Sequence, residues 1–432
     1  MSLVRISQCM IVKNEEKNIE MALGWAKPVA YEQIVVDTGS TDRTVELAKQ
    51  MGAKVYNFKW INDFGAAKNY AIEQATGNWI AFLDADEYFS PEDANKLIAK
   101  LKEIEENPDT QGNTTVLRMP WVQLNDQGEI FAIYKQSRIF RNLKEIRYKG
   151  KIHESLTGRG DIVFVDDISI MHTGYASNAF EETSKLERNI ELLRVELKEN
   201  PDDISVKAYL ADSLNNKSRL NDPYGDGSDP EADILFKEVI DSGADINRVL
   251  IKKAYVYFIV KYLSDPGMYA ECEKLCEKAL DIFKNDLDFR FFMASVSNRK
   301  GEYEKAWVIL KELERILDDN IDPGDTVYVT ANPILVYEQI LSAAQGRGDI
   351  ESVIEFATRV LISDKTRQNI LSPFIYTLIK HGINEEEILE LLGNIFNLGD
   401  PNDLLSIARA AKGCGATEFA RMIMIIAGEM LN

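Results

Sequence analysis

Residues 79–89, WIAFLDADEYF, constrain this chain more than any other stretch. An apolar run of strand length drives into Asp84, Ala85, Asp86 and Glu87, and because acids form strands poorly, the strand is predicted to stop there. Three carboxylates then sit at a strand's carboxyl end. In an open α/β sheet that edge binds ligands, and a hard divalent cation holding a diphosphate asks for one or two carboxylate oxygens with water completing its shell. Asp84 and Asp86, one residue apart on extended backbone, can point the same way, one toward a sugar hydroxyl and one toward a metal. An isolated Asp-x-Asp is more often a solvated acidic turn. Here the buried strand before it and the segments upstream favour a site.

Upstream, residues 6–12 read as a strand, followed by Lys13-Asn14-Glu15-Glu16 and a helix to about residue 27. A second buried strand, 33–36, ends in Asp37, and Thr38-Gly39-Ser40-Thr41-Asp42 leads into a helix through Met51; residues 53–56 repeat the strand. Strands alternating with helices predict a parallel sheet with right-handed crossovers. Ser40 or Thr41 is expected to cap the second helix, with Gly39 allowing the turn. That leaves Asp37 able to accept a hydrogen bond from a ligand at the same edge as Asp84 and Asp86. Residues 62–75 supply a further helix whose first turn carries Lys68 and Asn69. A lone lysine there would be called a solvated surface residue.

The series CMIVKNEEKNIE, IVVDTGSTDRTVELAK and NDFGAAKNYAIEQATGNWIAFLDADEYF, in this order and spacing, resembles the family 2 glycosyltransferases of the GT-A fold over roughly the first 175 residues. The resemblance implies a nucleotide-sugar donor site. The main chain near Ile11, with Asn14 and Glu15, would line the nucleotide pocket; Asp37 would bond the base and Lys68 would lie beside base or phosphate. Asp84 would touch the ribose, with Ala85 in the same site, and Asp86 would hold Mn²⁺ or Mg²⁺ on the diphosphate.

Beyond Glu87 the alternation ends. Residues 91–107 read as a helix with proline near its start, and 114–123 and 129–141 as strands around the turn Asn125-Asp126-Gln127-Gly128. Residues 135–151 gather seven basic groups against Glu145 alone. A basic, wet strand face is the plain explanation; positive charge beside a departing diphosphate is the functional one, and it marks Arg138 as a phosphate contact. Two of the three histidines, His153 and His172, fall in the loops that close this half. By the same resemblance Glu154 is the catalytic base and His172 a metal ligand, with His153 orienting either one. A carboxylate opposite the leaving group can take the acceptor's proton in a single displacement with inversion.

After residue 179 strand signals vanish. Residues 180–199 form an amphipathic connecting helix that ends before Pro201. Ala294, Gly301, Tyr303, Ala306, Leu310 and Leu313 then fall on the small, turn and core positions of a 34-residue tetratricopeptide repeat. The same offset of twelve between small positions recurs from Ala408 to Ala420, with Ala427 after it; weaker copies run through Val260, Cys272, Cys276 and Ala279, through Ala211 and Ala232, through Leu341, Val353 and Val360, and around Gly382 to Ile388. Cys272 and Cys276 share a helix face, which fits packed thiols better than metal. Stacked helix pairs present a concave surface suited to peptides, and packing or dimerisation is an equal alternative. The expected architecture is therefore an α/β GT-A domain with a mostly parallel sheet in residues 1–176, a connecting helix in 177–200 and an all-α tetratricopeptide-like superhelix in 201–432.

Residues 1–174 carry 21 basic and 25 acidic groups, so most of the net charge of −20 lies in the second half. That disfavours nucleic acid as a partner. Four cysteines are too few for a disulfide framework, and no apolar run reaches membrane-spanning length, which together read as a cytoplasmic protein. The combination is similar to bacterial enzymes that join a family 2 catalytic domain to tetratricopeptide-like helices, some of which glycosylate peptides or proteins, S-glycosyltransferases among them. The favoured reading is a metal-dependent transferase from a nucleoside-diphosphate sugar, UDP-linked by preference, to a protein or peptide. The alternatives are a glycan or lipid-linked acceptor and a non-catalytic nucleotide-binding scaffold.

Overall fold

The computed structural model describes residues 4–107, 114–125, 127–158, 160–173, 179–222, 228–319 and 328–430. The chain forms two compact units, Met1–Ile246 and Asn247–Asn432. The 176–177 boundary expected from the sequence lies outside the described residues.

In the first unit β1 (Ile6–Val12), β2 (Glu32–Asp37), β3 (Lys54–Asn57) and β4 (Trp79–Phe82) run parallel in the order β3-β2-β1-β4. All residues of β4 and all of β1 but Ile11 are buried, as a strand covered on both faces requires. The crossovers are α1 (Ile19–Gly24), α2 (Thr44–Gln50) and α3 (Phe64–Glu73). Because the four strands share a direction, Val12, Asp37 and the turn after Phe82 end on one edge. The helix α2 starts later than the sequence suggests. Ser40 and Thr41 do not cap it, because Asn14 and Asp37 hold residues 39–41 in the preceding loop; Asp42 Oδ1 instead accepts from the Thr44 amide at 3.0 Å.

The short strand β5 (Glu87–Phe89) begins at the last acid of the acidic turn and leads into α4 (Pro91–Glu106), capped by Ser90 with Pro91 in its first turn. The hairpin β6 (Thr114–Leu124) and β7 (Ile130–Arg141) returns to the sheet with β7 antiparallel to β4, Ile139 opposite Ala81. Residues of β7 before Ile139 therefore run past the carboxyl edge, which brings Arg138 over the acidic turn. The ribbon β8 (Arg147–Lys149) and β9 (Ser155–Thr157) follows, with β10 (Asp161–Phe164) parallel to β6. Strand β11 (Ile170–His172) slots between β6 and β5, so that His172 stands opposite Gln123 on one side and Glu87 on the other. One core packs Trp79, Phe89, Leu97 and Leu101 on one side of the sheet; Ile34, Val36, Phe82, Phe140 and Tyr148 form another. Helices α5 (Ala179–Glu199), α6 (Ile204–Asn221) and α7 (Pro230–Ser242) belong to this unit.

The second unit is helical throughout its described residues: α8 (Arg248–Leu263), α9 (Tyr269–Ile282), α10 (Leu287–Arg299), α11 (Tyr303–Asp318), α12 (Tyr328–Ala331), α13 (Ile334–Arg347), α14 (Ile350–Ser363), α15 (Gln368–Lys380), α16 (Glu385–Gly393), α17 (Pro401–Gly413) and α18 (Thr417–Met430), with a 3₁₀ turn at Pro266–Met268. The repeat register is visible in the burial of Ala294, Ala306, Leu310 and Leu313, and the pairs α10–α11 and α13–α14 turn at Gly301 and Gly348, both at positive φ. Cys272 and Cys276 are buried free thiols, and the Cys272 thiol donates to the Ile259 carbonyl. At α8 the register slips by one, with Ile259 rather than Val260 fully buried. No helix among the described residues is long and apolar enough to cross a membrane.

Candidate functional site

Five charged side chains, Lys68, Asp84, Glu87, Arg138 and Glu154, meet at the acidic turn. Lys68, from α3, is buried with its ammonium 2.6 Å from Glu154 Oε1 and 3.4 Å from Asp84 Oδ1. It lies over the rings of Phe82 and Tyr148, at 5.3 and 5.1 Å from their centroids. Burial works against its charge, but Asp84 and Glu154 outweigh that and raise its pKa. Lys68 is therefore not the solvated lysine its sequence context allows. Arg138 Nη2 bonds Asp84 Oδ2 at 2.7 Å and Glu87 Oε1 at 2.5 Å. With both neighbours occupied, Arg138 serves as counter-charge to the turn, and a phosphate could reach it only in competition with these carboxylates.

The two acids of that pair respond oppositely. Burial opposes ionisation of Asp84, yet Arg138 and Lys68 hold its carboxyl well below the usual range. Burial pushes the fully buried Glu87 up despite Arg138. Glu87 Oε2 also accepts from the Asp84 amide at 3.0 Å, which locks the turn's shape.

Asp86 points elsewhere. Its Oδ2 lies 3.2 Å from His172 Nε2, and the other ring nitrogen, Nδ1, lies 2.7 Å from Gln123 Oε1. Gln123 is fully buried, and its amide nitrogen donates to the Trp121 carbonyl, so its oxygen is the atom turned to the ring. An oxygen acceptor at Nδ1 places the ring proton there, leaving the Nε2 lone pair aimed at a carboxylate. Two acceptors facing each other at that distance call for a proton or a metal ion. No cluster of three or more metal-ligating side chains occurs among the described residues. A carboxylate and an imidazole oriented by an outer partner nonetheless suit an ion whose remaining ligands are phosphate and water.

The residues expected to meet a nucleotide line the neighbouring strand ends. Asn14, at φ 58°, accepts from the Thr41 amide at 2.8 Å and donates its own amide to Ser40 Oγ at 2.9 Å, tying the ends of β1 and β2 together. Glu15 donates its amide to Thr44 Oγ1 at 2.7 Å; burial raises its carboxyl pKa, and the charge on Asp86 adds to the effect. Asp37 is buried and accepts from the Gly39 and Ser40 amides at 3.2 and 3.0 Å. Ile11 is half-buried in β1, and Ala85 is buried between the two acids of the turn.

His153 has φ 52° and stacks on Tyr209 of α6, while the Nδ1 of His172 faces Gln123. Gln123, Tyr148 and Tyr209 are part of the site's framework without any local sequence signal: each is an ordinary polar or aromatic residue until the topology brings it to the edge. The Asn69 side chain holds both main-chain polar groups of Tyr148, at 2.8 and 2.9 Å, and so fixes β8 against α3.

Residues 7–146 match the family model described as glycosyl transferase family 2. A TPR repeat-containing protein of Synechococcus elongatus is 33% identical over 223 residues, covering 49% of this chain and 52% of that protein. The SPbeta prophage-derived glycosyltransferase SunS of Bacillus subtilis is 32% identical over 236 residues, covering 49% of this chain and 54% of that protein. The chain thus spans about half the length of the curated relatives it matches. Among solved structures, S. aureus TarS 1-349 in complex with UDP-GlcNAc aligns at 18% identity with a TM-score of 0.38, covering 60% of this chain and 87% of that one.

Proposed function

We propose that this chain, whose residues 7–146 match the glycosyl transferase family 2 model and whose second unit is helical among the described residues, moves a sugar from a nucleoside-diphosphate sugar, UDP-linked by preference, to a protein or peptide acceptor with inversion. In this proposal the catalytic segment is residues 1–176, the connecting helix 177–200 and the repeats 201–432, acting in a reducing cytoplasm. The observation that carries the reading is the facing pair Asp86–His172 with its Gln123 support. These residues would hold Mn²⁺ or Mg²⁺, and the ion would supply Lewis-acid stabilisation of charge on the diphosphate.

The chain's own residues do the rest. Asn14, Glu15 and Asp37 shape a pocket for the nucleotide, and an aspartate oxygen there can accept from a base N–H. Asp84, fixed by Lys68 and Arg138, stays ionised and can accept from a ribose hydroxyl. Glu154, held by Lys68 at 2.6 Å, takes the acceptor's proton. The helical repeats and the glycosyltransferase relative together support a macromolecular acceptor.

The test is a thermal melt of the full chain with UDP and with GDP, each with and without Mn²⁺. UDP with Mn²⁺ should raise the melting temperature, and Asp86→Ala should abolish the metal-dependent part. No shift with either nucleotide in the presence of Mn²⁺ sinks the proposal.

A further inference from the structure

The segment 150–154, which carries Glu154, is held by three helices. On one side is the start of α3: the Phe64 amide donates to the Lys151 carbonyl at 2.8 Å, and a Cβ on Gly65 would stand 2.6 Å from the Gly150 carbonyl oxygen. On the other is α5: the Lys151 amide donates to Glu196 at 3.2 Å and its ammonium pairs with Glu199 at 2.6 Å. The final hold comes from α6. The His153 imidazole lies flat on the Tyr209 ring, with centroids 4.2 Å apart and planes 9° from parallel.

His153 has φ 52°, a left-handed conformation that a residue with a side chain keeps only when its surroundings impose it. Since Glu154 follows directly, the backbone at His153 sets the direction in which Glu154 leaves the chain. Burial, then Asp212, then the Glu154 charge raise the pKa of the Tyr209 hydroxyl.

We propose that Tyr209 is a positioning residue for sugar transfer: by stacking on His153 it holds the left-handed turn that presents Glu154 to Lys68 and to the acceptor. A helix downstream of the sheet thereby completes the catalytic centre. The inference rests on Glu154 being the base.

The test follows hydrolysis of UDP-glucose, UDP-N-acetylglucosamine and GDP-mannose by the full chain with Mn²⁺, keeping the fastest donor. Tyr209→Phe retains the ring and is expected to keep the parent kcat. Tyr209→Leu keeps apolar bulk without a ring. It is expected to lower kcat by about 10²-fold with donor KM unchanged, the scale of a ~1 Å misplacement of a catalytic group. An unchanged kcat in Tyr209→Leu overturns the proposal, and so do equal losses in the two variants, which would point to the hydroxyl. Glu154→Gln separates the two ideas. If it turns over normally the base reading is wrong, whereas an inactive Glu154→Gln beside a fully active Tyr209→Leu removes only the positioning role. The chain has three histidines, so imidazole NMR signals give a readout independent of turnover. The His153 signal, assigned by its loss in His153→Gly, should be ring-current shifted in the parent; a signal at the unstacked position overturns the proposal whatever the variants do.

Discussion

At the amino end of the central strands Glu32 accepts from Ser7 Oγ at 2.7 Å, from the Thr76 amide and hydroxyl at 2.6 and 2.8 Å, and from Lys54 at 2.7 Å. At the carboxyl end Asp84, Glu87 and Glu154 share two cations, Lys68 and Arg138, with one further bond from the Asp84 amide to Glu87, and Asp86 faces an imidazole. The two clusters lie at opposite ends of one sheet, and both bury acid. At the amino end one carboxylate has as many protein donors as it can use, so nothing more is needed from outside. At the carboxyl end acids outnumber cations, and the surplus negative charge is concentrated where strand ends leave room for a ligand. A buried charge without a full set of partners is costly. Under the proposed function, a cation and an anion-bearing donor would complete the set at the carboxyl end.

The largest expected difference between the ends is in turnover. Asp86→Ala should lower donor hydrolysis by about 10²- to 10³-fold, the scale of losing one preorganised stabiliser of transition-state charge. Glu32→Gln should leave turnover intact. Measured on the same donor, equal losses in the two variants would erase the distinction between a ligand end and a structural end.

Stability should show the reverse. Burial works against ionisation of Glu32, but bonds from Lys54, Thr76 and Ser7 outweigh it and hold its pKa down to about 2. Glu32→Gln should therefore cost about 2–3 kcal/mol at neutral pH. A depressed folded-state pKa contributes stability above the unfolded value, and that stability is lost as pH falls through the folded value. The gap between parent and Glu32→Gln in urea denaturation should thus be full above about pH 5 and close between there and about 2. A gap that stays constant through that window would mean that Glu32 matters by shape and not by charge.

A subtler change at the ligand end is Gln123→Leu. It removes the partner of His172 Nδ1 while leaving both facing groups in place. Loss of such an outer partner typically weakens metal binding about 10- to 100-fold. A Mn²⁺ titration of the nucleotide-dependent melting shift should move its midpoint by that factor, and an unmoved midpoint would remove Gln123 from the site.

How much of this could be read from residues alone follows from the range of each interaction. The strands and their acidic ends were legible because period and composition change within a few residues, as at Phe82 to Asp84. The convergence of Asp37, Asp84 and Asp86 on one edge follows from parallel strands sharing a direction. The start of α2 was misread because Asn14, far upstream, captures the Thr41 amide and overrides local capping preference. Pairings such as Lys68 with Glu154, or His172 with Gln123, depend on β7 crossing beside β4 and on β11 inserting between β6 and β5. No local pattern encodes those insertions. The repeats were legible from their small residues and turn glycines, though the slip at Ile259 shows that spacing alone fixes a helix face only to within one residue.

The smallest effect concerns the wall of the ligand end. The Tyr148 ring packs against Phe82, at 5.3 Å between centroids, and beneath Lys68, while its buried hydroxyl has no hydrogen-bond partner among the described residues. Burial pushes that hydroxyl's pKa up to about 12, so it stays neutral across the working range. An unpartnered buried hydroxyl is a net cost, and removing it without changing the ring should be neutral or stabilising by up to about 1 kcal/mol. Nothing comparable exists around Glu32, where every nearby hydroxyl named above is bonded. Tyr148→Phe should therefore melt at or slightly above the parent temperature without ligand. If the hydroxyl is held unpaired for a donor or acceptor group, the same variant should lose part of the nucleotide-dependent shift; a variant that is destabilised when free of ligand would show instead that the hydroxyl already has a partner in the folded protein.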